Sequence, residues 1–268
     1  MPRTFKALSF IPAIAMIMAA ASTGAFAQTD TEPQSRPAER TADVRLKVKK
    51  GQYLSIIMPE ARADHAAQRE RQSYYRKALP LGQKFGLKRE AQLKVDTAVI
   101  SDFEPTGLIF FSYPDAASEM KLTGHQSWPT IKAQRPKAWH ELRIYSAAVE
   151  NDLNLLFDPA KFYTLVVAWT NPEKPDDYQN YLSGIETAVH AAGGEFIFKM
   201  HNPKMEAHAT ALKAPNQLTF VEWETADGFE QVQKTAAYKA SAPYIRSGAR
   251  KIEFYRMSVN GKAQPPKD

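Results

Sequence analysis

Charged and aromatic side chains that alternate along two predicted strands are the part of this 268-residue chain best suited to chemistry. Arg143 and Tyr145 alternate in one strand, and Glu253 and Tyr255 alternate in a second strand 110 residues later. Because successive side chains of a strand point to opposite faces, each of these pairs shares one face. A buried Arg and Glu that meet would neutralise each other, but they could also exchange protons with a ligand. Both hypotheses, a structural ion pair and an acid–base site, stay open on the sequence.

Two further apolar strands end in aromatic residues that would line the same interior space. Tyr113 ends the strand of the first half, and Trp223 ends the matching strand of the second half. We expect each ring either to stack on a ligand or to pack at an interface, since ligand pockets are aromatic with a few polar groups. The residues predicted to line this space are Ile109, Phe111, Tyr113, Thr219, Val221 and Trp223.

Several kinds of site have no counterpart in the sequence. The chain has no cysteine, which excludes disulfides, thiolate metal sites and a cysteine nucleophile. His201 and His208 are seven residues apart and separated by Pro203, so neither helical nor strand spacing brings them together. The chain also lacks a phosphate-binding glycine loop, a nucleophile elbow and an HExxH motif. We therefore predict no metal site and no cofactor.

Basic residues are scattered along the chain. The formal net charge is +6, and the small basic clusters are interrupted by apolar positions. This pattern is typical of a mildly basic solvated surface rather than of a nucleic-acid interface. We therefore predict no nucleic-acid partner.

The second half of the chain repeats the first at an offset of 110 residues. Leu108 corresponds to Leu218, Phe110 to Phe220, and Tyr53 to Tyr163. A repeat of this length is a whole domain, so the pattern indicates one fold duplicated and fused. We expect repeat 1 over residues 50–150, a connector over 151–161 and repeat 2 over 162–260.

Each repeat has a pattern that predicts the order β-α-β-β-α-β. The apolar spacing predicts a first helix over about residues 60–79 in repeat 1, and over 178–189 in repeat 2, where glycine at 193 ends it. The last helix of repeat 2 should be interrupted at Pro243. We predict an α+β protein of two tandem ferredoxin-like repeats, which pair sheet to sheet as an intramolecular pseudo-dimeric α/β barrel.

The first 27 residues resemble a secretory signal peptide. Arg3 and Lys6 precede an apolar stretch, and Ala25 and Ala27 supply the small residues of a cleavage site. We expect a periplasmic or secreted protein with no stable membrane insertion after cleavage, and an uncleaved membrane anchor is the alternative. Residues 28–49 are predicted to form a flexible leader, and residues 261–268 a polar tail.

Repeat 2 resembles small stand-alone members of the dimeric α/β-barrel superfamily. The resemblance rests on Tyr178 and Tyr181, on the glycines at 193 and 194, on a strand ending at Lys199, on the strand end 220–223, and on residues 235–238 leading to Pro243. It implies that Lys199, Glu222 and Tyr238 contact a ligand. Heme-degrading relatives have an iron-ligating His where this chain has Ala242 and Lys132, so the resemblance implies no heme.

Together these patterns predict an exported protein that binds a small apolar or aromatic molecule in the barrel between the repeats. The candidate ligand-binding residues are Tyr113, Arg143, Tyr145, Lys199, Glu222, Trp223, Tyr238, Glu253 and Tyr255. One alternative is a cofactor-independent monooxygenase or isomerase, and another is a catalytically silent structural or interaction domain. An open cavity between the sheets distinguishes the first two from the third. We expect a monomer, since fusion satisfies the sheet pairing within one chain.

Overall fold

The computed structural model describes residues 44–259. The predicted signal peptide, the leader up to residue 43, and the tail from residue 260 lie outside the described residues. The strands are β1 (Val44–Val48), β2 (Tyr53–Ala61), β3 (Lys88–Ile100), β4 (Gly107–Tyr113), β5 (Trp139–Ala148), β6 (Leu153–Phe157), β7 (Phe162–Thr170), β8 (Gly194–His201), β9 (Lys204–His208), β10 (Gln217–Trp223) and β11 (Ala249–Ser258). The helices are α1 (His65–Lys84), α2 (Ala116–Thr123), α3 (Trp128–Lys132), α4 (Arg135–Ala138), α5 (Asp177–Ala191), α6 (Gly228–Lys234) and α7 (Ala236–Gly248).

The strands form antiparallel sheets, so the predicted α+β class is confirmed. Nine strands form one sheet in the order β8-β10-β7-β11-β3-β4-β2-β5-β9, and β1 and β6 form a separate two-stranded ribbon. Within each half, the first strand lies between the fourth and the third, as in a β-α-β-β-α-β unit of ferredoxin-like type. The two halves meet where β11 pairs with β3.

Two long segments each pair with strands of both halves. The first part of β3 pairs with β4, and its last part pairs with β11 of the second half. Similarly, β8 pairs with β10, and β9, which follows directly in the chain, pairs with β5 of the first half. Asn202, with a positive φ of 44°, lies in the short link between β8 and β9. The two strands at the ends of the nine-strand order, β8 and β9, are therefore consecutive in the chain.

Buried apolar residues form three separate clusters. The central core lies between the two halves of the sheet and includes Leu54, Phe110, Phe220 and Tyr255. The first helix-side core lies under α1 to α4, and the second lies under α5 to α7. The central core is filled by aromatic rings: Phe110 lies 6.0 Å from Phe220 and 5.9 Å from Phe157 between ring centroids.

The segment predicted to end the flexible leader is a strand. β1 pairs antiparallel with β6, which lies in the predicted connector. Leu46, Val48 and Phe157 of this ribbon are fully buried against the central core. The prediction of a flexible leader was therefore wrong for residues 44–48, because three apolar side chains on the ribbon cover the core.

Most helix positions agree with the predicted periodicity, but some bounds differ. Helix α1 begins at His65 rather than near residue 60, because β2 extends to Ala61. Helix α5 buries its predicted apolar face, and Gly193 has a φ of 71° just after it, as predicted. Helix α1 continues through Pro80 to Lys84, rather than ending near 79. The break in the last helical region falls at Thr235, whose side chain caps α7 by accepting from Tyr238 N, and Pro243 lies inside α7.

The repeat offset is not constant along the chain. Tyr53 belongs to the first helix-side core, whereas Tyr163 belongs to the central core. Their predicted correspondence was therefore wrong, because residues on opposite faces of a sheet are not equivalent. None of the helices within residues 44–259 is both long and apolar enough to cross a membrane.

Candidate functional site

The alternating residues of the last strand in each half lie in the central core, as predicted. Arg143 Nη1 donates to both carboxylate oxygens of Glu253 at 2.9 Å, and both residues are buried. The Tyr255 hydroxyl also donates to Glu253 at 2.9 Å. Burial and the nearby Glu253 charge raise the pKa of Tyr255. Arg143 and Glu253 therefore meet as a buried pair, which was one of the two hypotheses left open by the sequence.

Flanking groups complete a neutralised network around this pair. Arg143 also pairs with Glu141, and Lys251 Nζ lies 2.7 Å from Glu253. The Arg143 guanidinium lies 4.0 Å from the centre of the Phe103 ring. Charges that are buried, paired and covered by an aromatic ring have the features of a structural ion pair. The cavity and the groove described below have none of these residues in their walls.

The prediction that Tyr113 and Trp223 line the interior was wrong. Tyr113 belongs to the first helix-side core and Trp223 to the second, while Leu108, Phe110 and their counterparts in β10 fill the central core. The physical reason is that β4 and β10 are buried on both faces. Alternation gives no signal in such strands, because both faces are apolar.

The three residues implied by the family resemblance lie apart from one another. Lys199 is exposed on β8, with its ammonium 5.0 Å from the centre of the Phe196 ring. Glu222 accepts a hydrogen bond from the Tyr163 hydroxyl at 3.0 Å, and burial raises the pKa of Glu222. Tyr238 packs against Tyr181 in the second helix-side core. Their role as ligand contacts stays a prediction.

A cavity of about 100 Å³ lies instead under α1, on the helix side of the first half of the sheet. The wall is largely aromatic, and Tyr74 packs edge to face on Trp139 at 5.0 Å between ring centroids. Residues of the wall include Tyr74, Ala78, Phe111, Tyr113, Glu119, Trp128, Arg135, Trp139, Lys204 and Glu206. A cavity of this size accommodates roughly one aromatic ring.

Local sequence explains why the space is open in the first half. Asp64 caps the start of α1, since its carboxylate accepts from Ala67 N at 2.8 Å. The helix places the small side chain of Ala78 in the cavity wall. In the second half, Trp223 fills the space under the helices and donates its Nε1 hydrogen to Thr164 Oγ1 at 2.9 Å. At the 110-residue offset, Trp223 corresponds to the smaller Tyr113.

Charged groups close one end of the cavity. Arg135 donates to the Tyr74 hydroxyl from Nε at 3.2 Å and from Nη2 at 3.1 Å, and it also pairs with Glu206. Lys132 Nζ lies 3.1 Å from Glu206. Burial by itself would raise the pKa of Glu206, but Arg135 and Lys132 bring it below its ordinary value. Arg135 and Glu206 are therefore held as a charged pair.

Glu119 is the cavity carboxylate best placed for proton transfer. Burial raises its pKa, and the Lys204 ammonium, 3.9 Å away, opposes the shift. The phenol of Tyr113 lines the same cavity, and burial together with the Glu119 charge raises the pKa of Tyr113. A carboxyl group in an apolar site whose pKa is raised toward neutrality can act as a general acid or base.

The sequence pattern identified three residues that line this cavity, Ile109, Phe111 and Tyr113, although it assigned them to the barrel interior. It missed Glu119, Arg135 and Glu206. At the 110-residue offset, Glu119 corresponds to Phe229 and Arg135 to Ile245. Glu119 and Arg135 could have been identified from the sequence, because each is a charged residue at a position where the other repeat has an apolar one. Glu206 gives no such signal, because β9 reaches the first half only through its pairing with β5.

Residues 44–259 contain no cluster of side chains suited to bind a metal ion. No group of three or more His, Asp or Glu side chains in this part of the chain is placed to hold a metal ion. His208, which lies on β9, accepts from Leu142 N through its Nδ1 at 3.1 Å.

Similarity to known proteins is confined to weak structural matches. No protein-family model matches the chain, and no curated protein matches it. The chain is similar to an anthrone oxidase-like protein, with 11% identity, 80% of this chain and 94% of that chain covered, and a TM-score of 0.48. It is also similar to a candidate monooxygenase from Fusobacterium nucleatum subsp. nucleatum, with 13% identity, coverage of 82% and 100%, and a TM-score of 0.40.

A third match is a dimeric protein of unknown function and ferredoxin-like fold from Bacteroides fragilis, with 9% identity and a TM-score of 0.27. It covers 37% of this chain and 97% of that chain. All three TM-scores are below 0.5. The site is therefore interpreted from its own residues.

Proposed function

We propose that the chain is a fusion of two ferredoxin-like repeats, paired as a pseudo-dimeric barrel around the central core. The proposal is supported by two matching contacts, β3 with β11 and β9 with β5, each of which joins one half to the other. It is also supported by Arg143 and Glu253, which lie 110 residues apart and face each other. The aromatic filling of the central core favours a structural role for the barrel interior.

We further propose that the protein binds a small, flat aromatic molecule in the cavity under α1 rather than in the barrel. The observation that carries this proposal is an aromatic wall around an open space, with the polar groups of Tyr113 and Glu119 at its edge. Aromatic side chains favour stacked or edge-to-face contact with a planar ring, and few polar groups are needed to orient it.

Isothermal titration calorimetry with naphthalene-2-carboxamide tests this site, because the probe is planar and uncharged. The unmodified chain is expected to bind it, and Ala78→Phe is expected to weaken binding at least about tenfold by filling the cavity. The control is Lys77→Phe, which adds the same ring at an exposed position of α1. Equal affinity in all three proteins would contradict the proposed site. Native mass spectrometry of the protein from its own source would identify a retained ligand.

The second candidate is an enzyme that uses Glu119 as a general base without a cofactor, as in a monooxygenase or an isomerase. The raised pKa of Glu119 beside an aromatic cavity favours it. Deuterium exchange at the acidic C–H of 2-tetralone, followed by NMR, tests for proton abstraction. Glu119→Gln is expected to slow exchange by roughly 10²-fold or more. The exposed Glu186→Gln should exchange like the unmodified chain, and equal rates for both variants would refute the base.

We also propose that the protein is exported as a monomer, on the basis of its N-terminal sequence pattern and the internal pairing of its halves. N-terminal sequencing of the protein from its own source would show cleavage after Ala27 if export uses the predicted signal. An intact N-terminus would contradict this.

A further inference from the structure

A groove of about 530 Å³ lies beside the cavity and is open to solvent. The groove and the cavity share one wall, formed by Tyr75, Leu79, Leu87, Ile109, Phe111 and Trp139. Tyr75 and Leu79 are each 36% exposed, so this wall is accessible from outside. A bicyclic molecule such as naphthalene, with one ring in the cavity, would extend its second ring past this wall into the groove.

The groove has two positive charges without a carboxylate to balance them. Arg71 and Arg89 line it, and none of the other described residues in its wall is Asp or Glu. Among residues 44–259, neither arginine forms an ion pair. This differs from the inner end of the cavity, where Arg135 pairs with Glu206.

Arg71 is held in a fixed orientation by the backbone. Its Nη1 donates to the carbonyl oxygens of Arg62 at 2.6 Å and Ala138 at 2.9 Å. Its Nε and Nη2 have no acceptor among the described residues, although the side chain is half-buried. The Tyr75 hydroxyl lies in the field of both arginines: burial raises the pKa of Tyr75, and Arg71 and Arg89 oppose that shift. Donors fixed in this way lose little entropy when they bind an anion.

A β-bulge directs Arg89 into the same groove. The pairing of β3 with β4 shifts register between Arg89 and Ala91, so Glu90 is the extra residue. Without the bulge, Arg89 and Gln92 would lie on opposite faces, because they are three residues apart. With it, both line the groove, and the Arg89 guanidinium contacts the Gln92 side-chain oxygen.

We propose that Arg71 and Arg89 form a binding site for the carboxylate of the ligand, which is therefore an aromatic carboxylic acid. The inference rests on the proposed function, since the ring of the same molecule occupies the cavity under α1. Guanidinium groups form paired, charge-assisted hydrogen bonds with a carboxylate, and these are stronger than bonds to a neutral amide.

Calorimetric titration with naphthalene-2-carboxylate and its neutral isostere naphthalene-2-carboxamide tests the proposal. The unmodified chain is expected to bind the carboxylate at least about tenfold more tightly than the amide at low salt, and less so at high salt. Arg89→Gln should remove this preference by weakening the binding of the carboxylate more than the binding of the amide. The control is Lys88→Gln, since the neighbouring Lys88 pairs with Glu90 at 2.8 Å and does not line the groove.

The possible outcomes distinguish the carboxylate site from the proposed aromatic site. Equal binding of the two probes, both weakened by Ala78→Phe, would overturn the carboxylate site and leave the proposed aromatic site standing. A carboxylate preference that survives in Arg89→Gln but disappears in Lys88→Gln would also overturn it. Binding of neither probe would overturn the proposed function and the carboxylate site with it.

Discussion

At the scale of single residues, the molecule separates a structural charge network from a cavity with reactive groups. Arg143 and Glu253 are buried, paired and enclosed by the central core. Glu119 faces an open space, and burial raises its pKa. Glu253 is hydrogen-bonded to Arg143 at 2.9 Å, whereas the Lys204 ammonium lies 3.9 Å from Glu119, beyond hydrogen-bond distance. A buried acid without a hydrogen-bonded cation remains available for proton transfer.

The buried pair predicts a large effect on stability. Glu253→Met leaves the Arg143 charge with Glu141 as its remaining partner, so we expect the free energy of unfolding to fall by about 3–5 kcal/mol. Urea denaturation measures this free energy of unfolding. Lys49→Met is the matched control, because Lys49 and Asp152 are 77% and 57% exposed and their pair should contribute less than about 1 kcal/mol. Similar small losses in both variants would show that the central pair is not buried as described.

The ion pair of Arg135 and Glu206 should make the stability of the fold depend on pH in the acidic range. The pKa of Glu206 in the folded state is below its ordinary value of 4.5, so the unfolded chain binds more protons between these two values. The stability from Arg135 and Glu206 is therefore present above the unfolded pKa and lost as the pH falls through the folded pKa. Acid unfolding curves should be steeper for the unmodified chain than for Glu206→Gln. Identical slopes would contradict the pairing.

At the scale of secondary-structure elements, the sequence predicted most elements and the faces of several. Helix α5 and strands β5 and β11 follow their predicted periodicity, because each has one polar and one apolar face. Strand β4 did not, because both of its faces are buried. Strand β1 was missed, because five residues with two buried side chains resemble a polar leader until β6 pairs with them.

The site was less predictable than the elements that hold it. Tyr113 was identified as a lining residue, but it was assigned to the barrel face of the sheet instead of the helix face. The cavity also depends on the small side chain of Ala78 in α1, which lies in its wall. Contact between Glu206 and Arg135 depends on pairing between β9 and β5, which are distant in sequence. Such contacts are set by tertiary packing, which periodicity does not encode.

The ribbon of β1 and β6 predicts that residues just before repeat 1 stabilise the fold. Leu46 is fully buried, so Leu46→Ala should lower the free energy of unfolding by about 2–5 kcal/mol in urea denaturation. Arg45→Ala, at the exposed neighbouring position of the same strand, should change it by less than about 0.5 kcal/mol. Equal, small effects would indicate that this segment does not pack on the core.

At the scale of the whole molecule, the two halves differ although their strand order is the same. The second half fills the space under its helices with Trp223, and the first half leaves it open. The positions that meet in the central core have opposite charges, Arg143 and Glu253, whereas pairing two copies of one half would bring like charges together. Opposite charges favour pairing between the halves of one chain over pairing of identical halves.

This arrangement predicts a monomer with a single unfolding transition. Size-exclusion chromatography with light scattering should give the mass of one chain over a range of concentrations. Circular dichroism and tryptophan fluorescence should report the same urea midpoint, because the central core joins both halves. A stable dimer, or two separate transitions, would contradict the proposed internal pairing.

Binding of an aromatic ligand in the cavity under α1 is tested most directly by a crystal structure with 6-bromonaphthalene-2-carboxylate. The anomalous signal of bromine locates the ring independently of the rest of the molecule. We expect one bromine peak in the cavity, beside the rings of Tyr74 and Trp139, with the carboxylate toward Arg71 and Arg89 in the groove. A bromine peak in the central core, or an empty cavity with the ring bound elsewhere on the protein, would contradict the account.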